Sequence, residues 1–369
     1  MKFWSRKAAQ LPARPILSRV AAFGGGALGS APSFEAQYRE AYLSNAIAAR
    51  AVRVVAEAVG SAPLAASDPA LVALVRAGSG GQALLETLAA QLLLHGNAYV
   101  QIVGGAEDAP AALFALRPER VSVEADARGW PAAYRYRIGG QSLLLEAEDG
   151  AGRAGVIHMQ ALNPGDDHYG AGCLSAVMGA VAAHNAANRW NRALLDNAAR
   201  PSGALVHDGE GGLPLTPEQF DRLKVELTEG FAGGANAGRP LLLEGGLKWQ
   251  PLSLSPADMD FLALKDSAAR EIATGFGVPP MLLGLPGDAT YANYREANRA
   301  LWRQTVLPLA DKILGGIARG LTGWFEAPAL RVDVDKVPAM AEDRERLWAM
   351  VASADWLTRE EKRSMVGLA

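Results

Sequence analysis

Residues 82–103 read QALLETLAAQLLLHGNAYVQIV. The first part fits a helix over Gln82–His95. Gly96 then supplies a residue that takes a left-handed C-cap without a side-chain penalty, and Ala98–Val103 continues as a strand. Further strand-like pieces follow at Leu113–Leu116, Val121–Glu124, Ala133–Ile138, Ser142–Glu146 and Val156–Met159, separated by Gly, Pro and Asp turns. Upstream, Leu43, Ile47, Val54 and Val55 recur at helical spacing over Tyr38–Val59, until Gly60 and Pro63 stop the helix. Residues 35–170 are therefore expected to form an α+β domain.

Beyond the turn-rich Asn163-Pro-Gly-Asp-Asp-His-Tyr-Gly170 the pattern changes to long helices. An unbroken helical stretch from Leu174 to Ala199, closed by Pro201, would be roughly 40 Å long. One face carries His184, Asn185, Asn188, Arg189, Asn191 and Arg192, and the apolar Val177, Val181, Leu194 and Leu195 form no continuous stripe. Such a helix fits a subunit interface better than a monomer surface. A small insert follows, with strand-like Ala204–Val206, Pro240–Leu243 and Lys248–Leu252. Its helix runs to Glu229 from a capping box of Thr216 and Gln219, with Pro217 at the first helical position. A second long helix opens with the same grammar, Ser255, Pro256 and Asp258, and ends at Gly275 and Gly277. The flexible stretch Leu285–Tyr291 leads into a third helix over Asn293–Phe325, which Pro308 should kink. A strand at Leu330–Val334 precedes C-terminal helices at Ala341–Ser353 and Thr358–Val366, the latter opened by a capping box of Thr358 and Glu361.

Composition excludes several classes. With 369 residues the chain is too long for one small domain, and no apolar run reaches the roughly 20 residues of a membrane-spanning helix. The N-terminal residues 1–34 carry Lys2, Arg6, Lys7, Arg14 and Arg19 without the apolar core of a signal peptide, and they read as a flexible basic arm. A single cysteine, Cys173, rules out an internal disulfide and suits a reducing cytoplasm. The formal charge of −3 is unlike that of a tight phosphate binder, though it does not exclude a conduit through which DNA slides, since strong phosphate contacts would act as brakes.

Candidate chemistry is sparse. Gly24-x-Gly26-x-x-Gly29 matches a dinucleotide fingerprint by letters alone, without the flanking strand and helix that give it meaning. There is no phosphate-binding G-x-x-x-x-G-K-[ST], so any ATP-driven motor must be another protein. Asp166, Asp167 and His168 read as turn chemistry before a helix rather than a metal site. His95 sits where a cationic side chain would suit a helix C-terminus, and His184 lies on the amide-rich face. Cys173 and Ser175 have no activating partner in sequence, and Glu360-Glu361 reads as solvated helix charge. No catalytic, cofactor or metal site is expected.

Taken together, Leu93-Leu-His-Gly-Asn-Ala-Tyr-Val100, the Gly170 turn before a long helix, Ala199-Arg-Pro-Ser-Gly203, Ile272-Ala-Thr-Gly-Phe-Gly-Val-Pro-Pro280 with Leu283-Gly284, and Leu307-Pro-Leu309 resemble the portal proteins of long-tailed bacteriophages and of gene transfer agents. The resemblance covers roughly residues 35–368, and the compact chain leans toward the gene transfer agent form. It implies an α+β, portal-like subunit in a homo-oligomeric ring of about twelve, set at one capsid vertex of a virion or virus-like particle assembled in the bacterial cytoplasm. It further implies a wing (35–170), a stem helix (171–199), a clip (200–254), a second stem helix (255–276), a tunnel-loop region (277–293), a kinked helix and wing strand (294–337) and a short helical crown (338–369). Double-stranded DNA would pass non-specifically through the channel. The major capsid protein, the terminase large subunit with its ATPase motor, and the head-tail adaptor protein would be partners, with no membrane involved. Leu285, Pro286, Gly287, Asp288, Ala289, Thr290 and Tyr291 would form the loop that faces the DNA. The residues alone leave open another phage head or connector component, or an enzyme of unknown activity.

Overall fold

The computed structural model describes residues 17, 33–105, 109–196, 203–207, 216–231, 247–251, 261–287 and 290–367. The chain divides into two units, Met1–Val177 with Ala273–Ala369, and Met178–Ile272. Both boundaries fall inside the helices expected to bracket the insert.

The first unit begins with a correction. The single helix expected over Tyr38–Val59 is broken into α1 (Phe34–Tyr38), a π-helical turn (Arg39–Leu43) and α2 (Ala46–Ser61). Asn45 causes the break, because its Oδ1 accepts from the amides of Ile47 and Ala48 at 3.1 and 3.0 Å and so restarts the helix. Helix α2 buries Ala48, Ala51, Val52, Val55, Ala56 and Val59 and packs on α4 (Leu84–Leu94). The latter starts two residues later than Gln82, which is taken by a short hairpin of β2 (Gly78–Ser79) and β3 (Gln82–Ala83). Two elements had no expectation: β1 (Leu64–Ala66), and α3 (Pro69–Arg76) with Asp68 as its cap.

The six strands anticipated between Ala98 and Met159 are present: β4 (Asn97–Gly104), β5 (Pro110–Leu116), β6 (Val121–Ala125), β7 (Pro131–Ile138), β8 (Gln141–Glu146) and β9 (Val156–Gln160). They form two antiparallel sheets, β5-β4-β9 and β6-β7-β8. Tyr99, Leu116, Val121, Tyr134, Tyr136 and Val156 make one buried cluster that holds residues of both sheets together. Burial of this much aromatic and branched surface is the main stabilising term, each large side chain contributing about 1.5–3 kcal/mol.

Helix α5 (Cys173–Asp196) leaves this unit, and α7 (Phe261–Gly275) returns to it. The helix expected over Asn293–Phe325 is two helices, α8 (Tyr291–Leu301) and α9 (Leu307–Gly320), joined by a π-helical turn at Trp302–Val306. Here the Leu307 amide donates to the carbonyl of Trp302, five residues back. Pro308 explains it, since proline has no N–H to donate and its ring crowds the carbonyl four residues earlier, and a wider turn relieves both. Helix α9 packs on β9 and on β12 (Leu330–Val332), which pairs antiparallel with β1. At the C-terminus, α10 (Ala341–Ser353) and α11 (Arg359–Met365) occur where expected, and the Thr358–Glu361 capping box is complete in both directions.

In the second unit, β10 (Gly203–His207) pairs antiparallel with β11 (Leu247–Pro251), and α6 (Pro217–Phe231) opens on the Thr216–Gln219 capping box. The expectations for Gly24–Gly29, Asn197–Ala199, Pro240–Leu243, Ser255–Asp258 and nearly all of the N-terminal arm lie outside the described residues. The amide-rich face of α5 is only partly available to another subunit. His184 and Asn185 are buried within this chain, and His184 Nδ1 lies 3.2 Å from Asn188 Nδ2.

Candidate functional site

Two places carry the residues that the sequence singled out. The first is the junction between α4, β4 and the turn before α5. Gly96 has φ +81°, and a Cβ there would lie 2.4 Å from the carbonyl carbon of Ala171, so both the left-handed cap and the close approach of two backbones require glycine. Asn97, buried beside it, binds Gly170 twice: its Oδ1 accepts from the Gly170 amide at 2.8 Å, and its Nδ2 donates to the Gly170 carbonyl at 3.1 Å. The same Oδ1 is 3.1 Å from His158 Nε2, and Nδ2 is 3.2 Å from His95 Nδ1. Asn163 Nδ2 donates to the Tyr169 carbonyl, Gln160 Nε2 donates to the His168 carbonyl, and the Tyr169 hydroxyl accepts from the Val123 amide. Sheet residues thereby fix the entry of α5, the helix that leads to the second unit.

His158 and His95 are structural, and burial favours their neutral forms. His158 stacks on the Tyr99 ring with centroids 4.1 Å apart, and burial, with smaller repulsion from His168 and His95, holds its pKa down to about 3. His95 lies at the helix end, where a cationic side chain would suit the dipole, and its role is structural as expected. Burial lowers its pKa, its ring meets Phe34 edge-on at 4.7 Å, and its Nδ1 is placed to accept from Asn97. Asp166 Oδ1 accepts from the amides of His168 and Tyr169 at 2.7 and 3.0 Å, while His168 Nε2 turns away to the Gly129 carbonyl at 2.6 Å. The three residues Asp166–His168 thus build a turn, and among the described residues no group of three or more His, Cys, Asp or Glu is arranged to hold a metal. Cys173 is half-buried with its thiol pushed up by burial, and the Ser175 hydroxyl donates to the Gly172 carbonyl.

A neutral buried histidine makes stability acid-sensitive with a definite sign. Above about pH 6.5 His158 is neutral whether folded or unfolded, and below it only the unfolded chain takes up the proton. Stability is therefore complete at neutral pH and falls by up to about 1.4 kcal/mol per pH unit between about pH 6.5 and 3, with His95 adding in the same direction. Thermal melts from pH 7 to 4.5 should show this decline, and His158→Phe, which keeps the stack on Tyr99, should flatten it. An equal slope in the variant would assign the decline to carboxylates.

The second place is the segment between α7 and α8. Gly277 takes φ +67°, and Thr305 donates to its carbonyl at 2.7 Å from a position where a Cβ would clash, at 2.6 Å from Oγ1. A single 3-10 turn at Pro280–Leu283 ends at Gly284, and the Leu285 amide closes onto the Pro280 carbonyl at 3.3 Å. Leu285 is half-buried, whereas Pro286, Gly287, Thr290 and Tyr291 are exposed, and Asp288 and Ala289 lie outside the described residues. The seven residues are not all loop. Thr290 Oγ1 accepts from the Asn293 amide at 3.2 Å, so α8 starts at Tyr291, two residues before the expected Asn293. Tyr291 is 79% exposed and Tyr294 52%, and the Arg295 guanidinium lies over the Tyr291 ring, 5.3 Å from its centroid. The loop itself carries no Lys or Arg, and the cation that covers the ring sits one helical turn into α8, where only the helical start at Tyr291 brings the two together.

Comparison with known proteins gives a consistent answer. A family model described as phage portal protein matches residues 46–367. An uncharacterized protein of Rickettsia bellii (strain RML369-C) is 39% identical over 342 residues, covering 89% of this chain and 88% of its own length. The portal protein of Enterobacteria phage HK97 is 26% identical over 247 residues, 65% of this chain and 54% of that protein. A chain in the neck of a native gene transfer agent (GTA) particle, computed with C12 symmetry, is 43% identical and superimposes with a TM-score of 0.72, covering 91% of this chain and 93% of its own. The family model runs through the junction at Asn97, the segment after α7 and the C-terminal helices alike, and the chain belongs to the phage portal protein family, whose members are structural, non-enzymatic components of the capsid.

Proposed function

We propose that this chain is the repeating subunit of a ring of about twelve copies at one capsid vertex of a phage-like or gene transfer agent particle, assembled in the bacterial cytoplasm. Double-stranded DNA passes through the ring on packaging and ejection. The observation that carries this reading is the 43% identity, over 91% of the chain, to a neck chain of a gene transfer agent particle with C12 symmetry. In this reading residues 35–170 with 294–337 are the wing, 171–199 and 255–276 the stem, 200–254 the clip that meets the terminase motor and later the head-tail adaptor, and 338–369 the crown. The wing or crown faces the major capsid protein.

The channel contact is assigned to Leu285–Tyr291. Its support is chemical: Pro286 and Gly287 bar regular structure, no Lys or Arg lies within the segment, and Asp288 repels phosphate, so a duplex can slide past without being held. Sequence readout would need groove-reaching Arg or Asn side chains, which the segment lacks. Deleting Pro286 and Gly287 should leave rings with a central hole in electron micrographs, with less DNA packaged per particle or with DNA leaking from filled ones. Intact rings with unchanged DNA content and retention would make the segment a connector. Particles whose vertex holds no ring of this chain would overturn the whole reading.

A further inference from the structure

Helix α8 buries a charged side chain beside one apolar one. Its only buried residues are Arg299 and Leu301, and its first two turns, Tyr291–Glu296, are exposed. A guanidinium taken this far from water needs carboxylate partners, because a buried unpaired charge is strongly destabilising. Arg299 meets Glu296 on its own helix at 2.9 Å. Across the helix boundary it binds Glu342 and approaches Asp343 at 3.7 Å, both in the first turn of α10. Glu342 is shared, since its second carboxylate oxygen binds Arg295, the residue that also covers the Tyr291 ring. The planar guanidinium fork suits this arrangement, since it offers several donors in fixed directions to carboxylates on two helices. The acids also sit at the N-terminal turn of α10, where negative charge favours that helix.

We propose that Arg299 and the pair Glu342–Asp343 form a clamp through which the C-terminal helix α10 sets the position of α8, and so how firmly the downstream end of the 285–291 segment is held. Arg299 is a positioning residue: it acts through α8, its ion-pair partners being Glu296, Glu342 and Asp343. The DNA consequence of the clamp rests on the channel reading given above, whereas the clamp does not.

Hydrogen exchange on the purified full-length chain tests it. Arg299→Met removes the charge while keeping most of the volume, and Glu342→Gln with Asp343→Asn leaves the guanidinium buried without its acids on α10. Both should raise exchange over residues 291–298 by about tenfold or more, with the amides of β4 and β9 unchanged. Uniformly faster exchange along the chain, or no change over 291–298, would overturn the clamp. Should Arg299→Met fail to fold, Arg299→Lys keeps the charge but loses the fork, and the same local pattern is expected at lower amplitude; its absence also counts against the clamp. Particles carrying these variants separate the two readings: local loosening with altered DNA retention supports both, while local loosening with normal DNA content keeps the clamp and removes the channel role of 285–291.

Discussion

Gly96→Ala should lower the stability of the first unit by about 2–5 kcal/mol, the sum of placing alanine at positive φ and of overpacking. A melting temperature lower by roughly 5–15 °C is the expected reading. The position is doubly constrained, because the residue sits at φ +81° and its Cβ would lie 2.4 Å from backbone atoms of Ala171 and Gly172. Those atoms belong to the entry of α5 and are tied by the Asn97 bonds to Gly170, so they have little freedom to retreat. Gly140→Ala is the matched control: its φ is +85°, but a Cβ there meets nothing within 4 Å. It should cost only the backbone term, about 1–2 kcal/mol. Equal losses at the two glycines would show that the junction yields, and the tight seating of α5 would then have no energetic weight.

Replacing residues 200–254 by a short linker should abolish docking of motor and adaptor while leaving the first unit folded. The expectation follows from the division of the chain, in which Met178–Ile272 form a unit apart from the body. It follows as well from α6, which leaves Phe220 59% and Val225 51% exposed within a single subunit. Apolar side chains at such exposure are ordinary when scattered, but two on one helix of a small unit suit a surface that another chain covers. Far-ultraviolet circular dichroism and the melt of the body would report folding, and co-purification with the terminase large subunit and the adaptor would report docking. Packaging at the normal level by such a variant would remove the docking role from these residues. A body that no longer folds would mean that the second unit is needed for the first.

Much of the fold was legible because its signals are local. Gly96, Thr216 with Gln219, Thr358 with Glu361, and the Gly, Pro and Asp turns between β4 and β9 act over a few residues, and each marked an element that the structure contains. Pro308 marked a distortion, and its form as a π-helical turn follows from relieving a missing donor and a crowded carbonyl together. The family resemblance was carried by segments such as Leu93–Val100, in which Gly96 lies against a second stretch of backbone and Asn97 is a buried polar group. What the sequence alone could not reach is long-range. The strand at Leu330 was legible, but its partner Leu64–Ala66 is three residues long, too short for a period to declare itself, and the two pair across most of the chain. The position of His95 beside a helix end would suit a cation, but Phe34 and Asn97 lie against it and burial lowers its pKa. Arg299 reads as one more surface arginine on a polar helix, because only the tertiary structure brings Glu342 and Asp343 to it from more than forty residues away. Propensity, caps and turns are decided by neighbours along the chain. Burial and charge pairing are decided by neighbours in space, and these set the ionisation of His95 and the hold on α8.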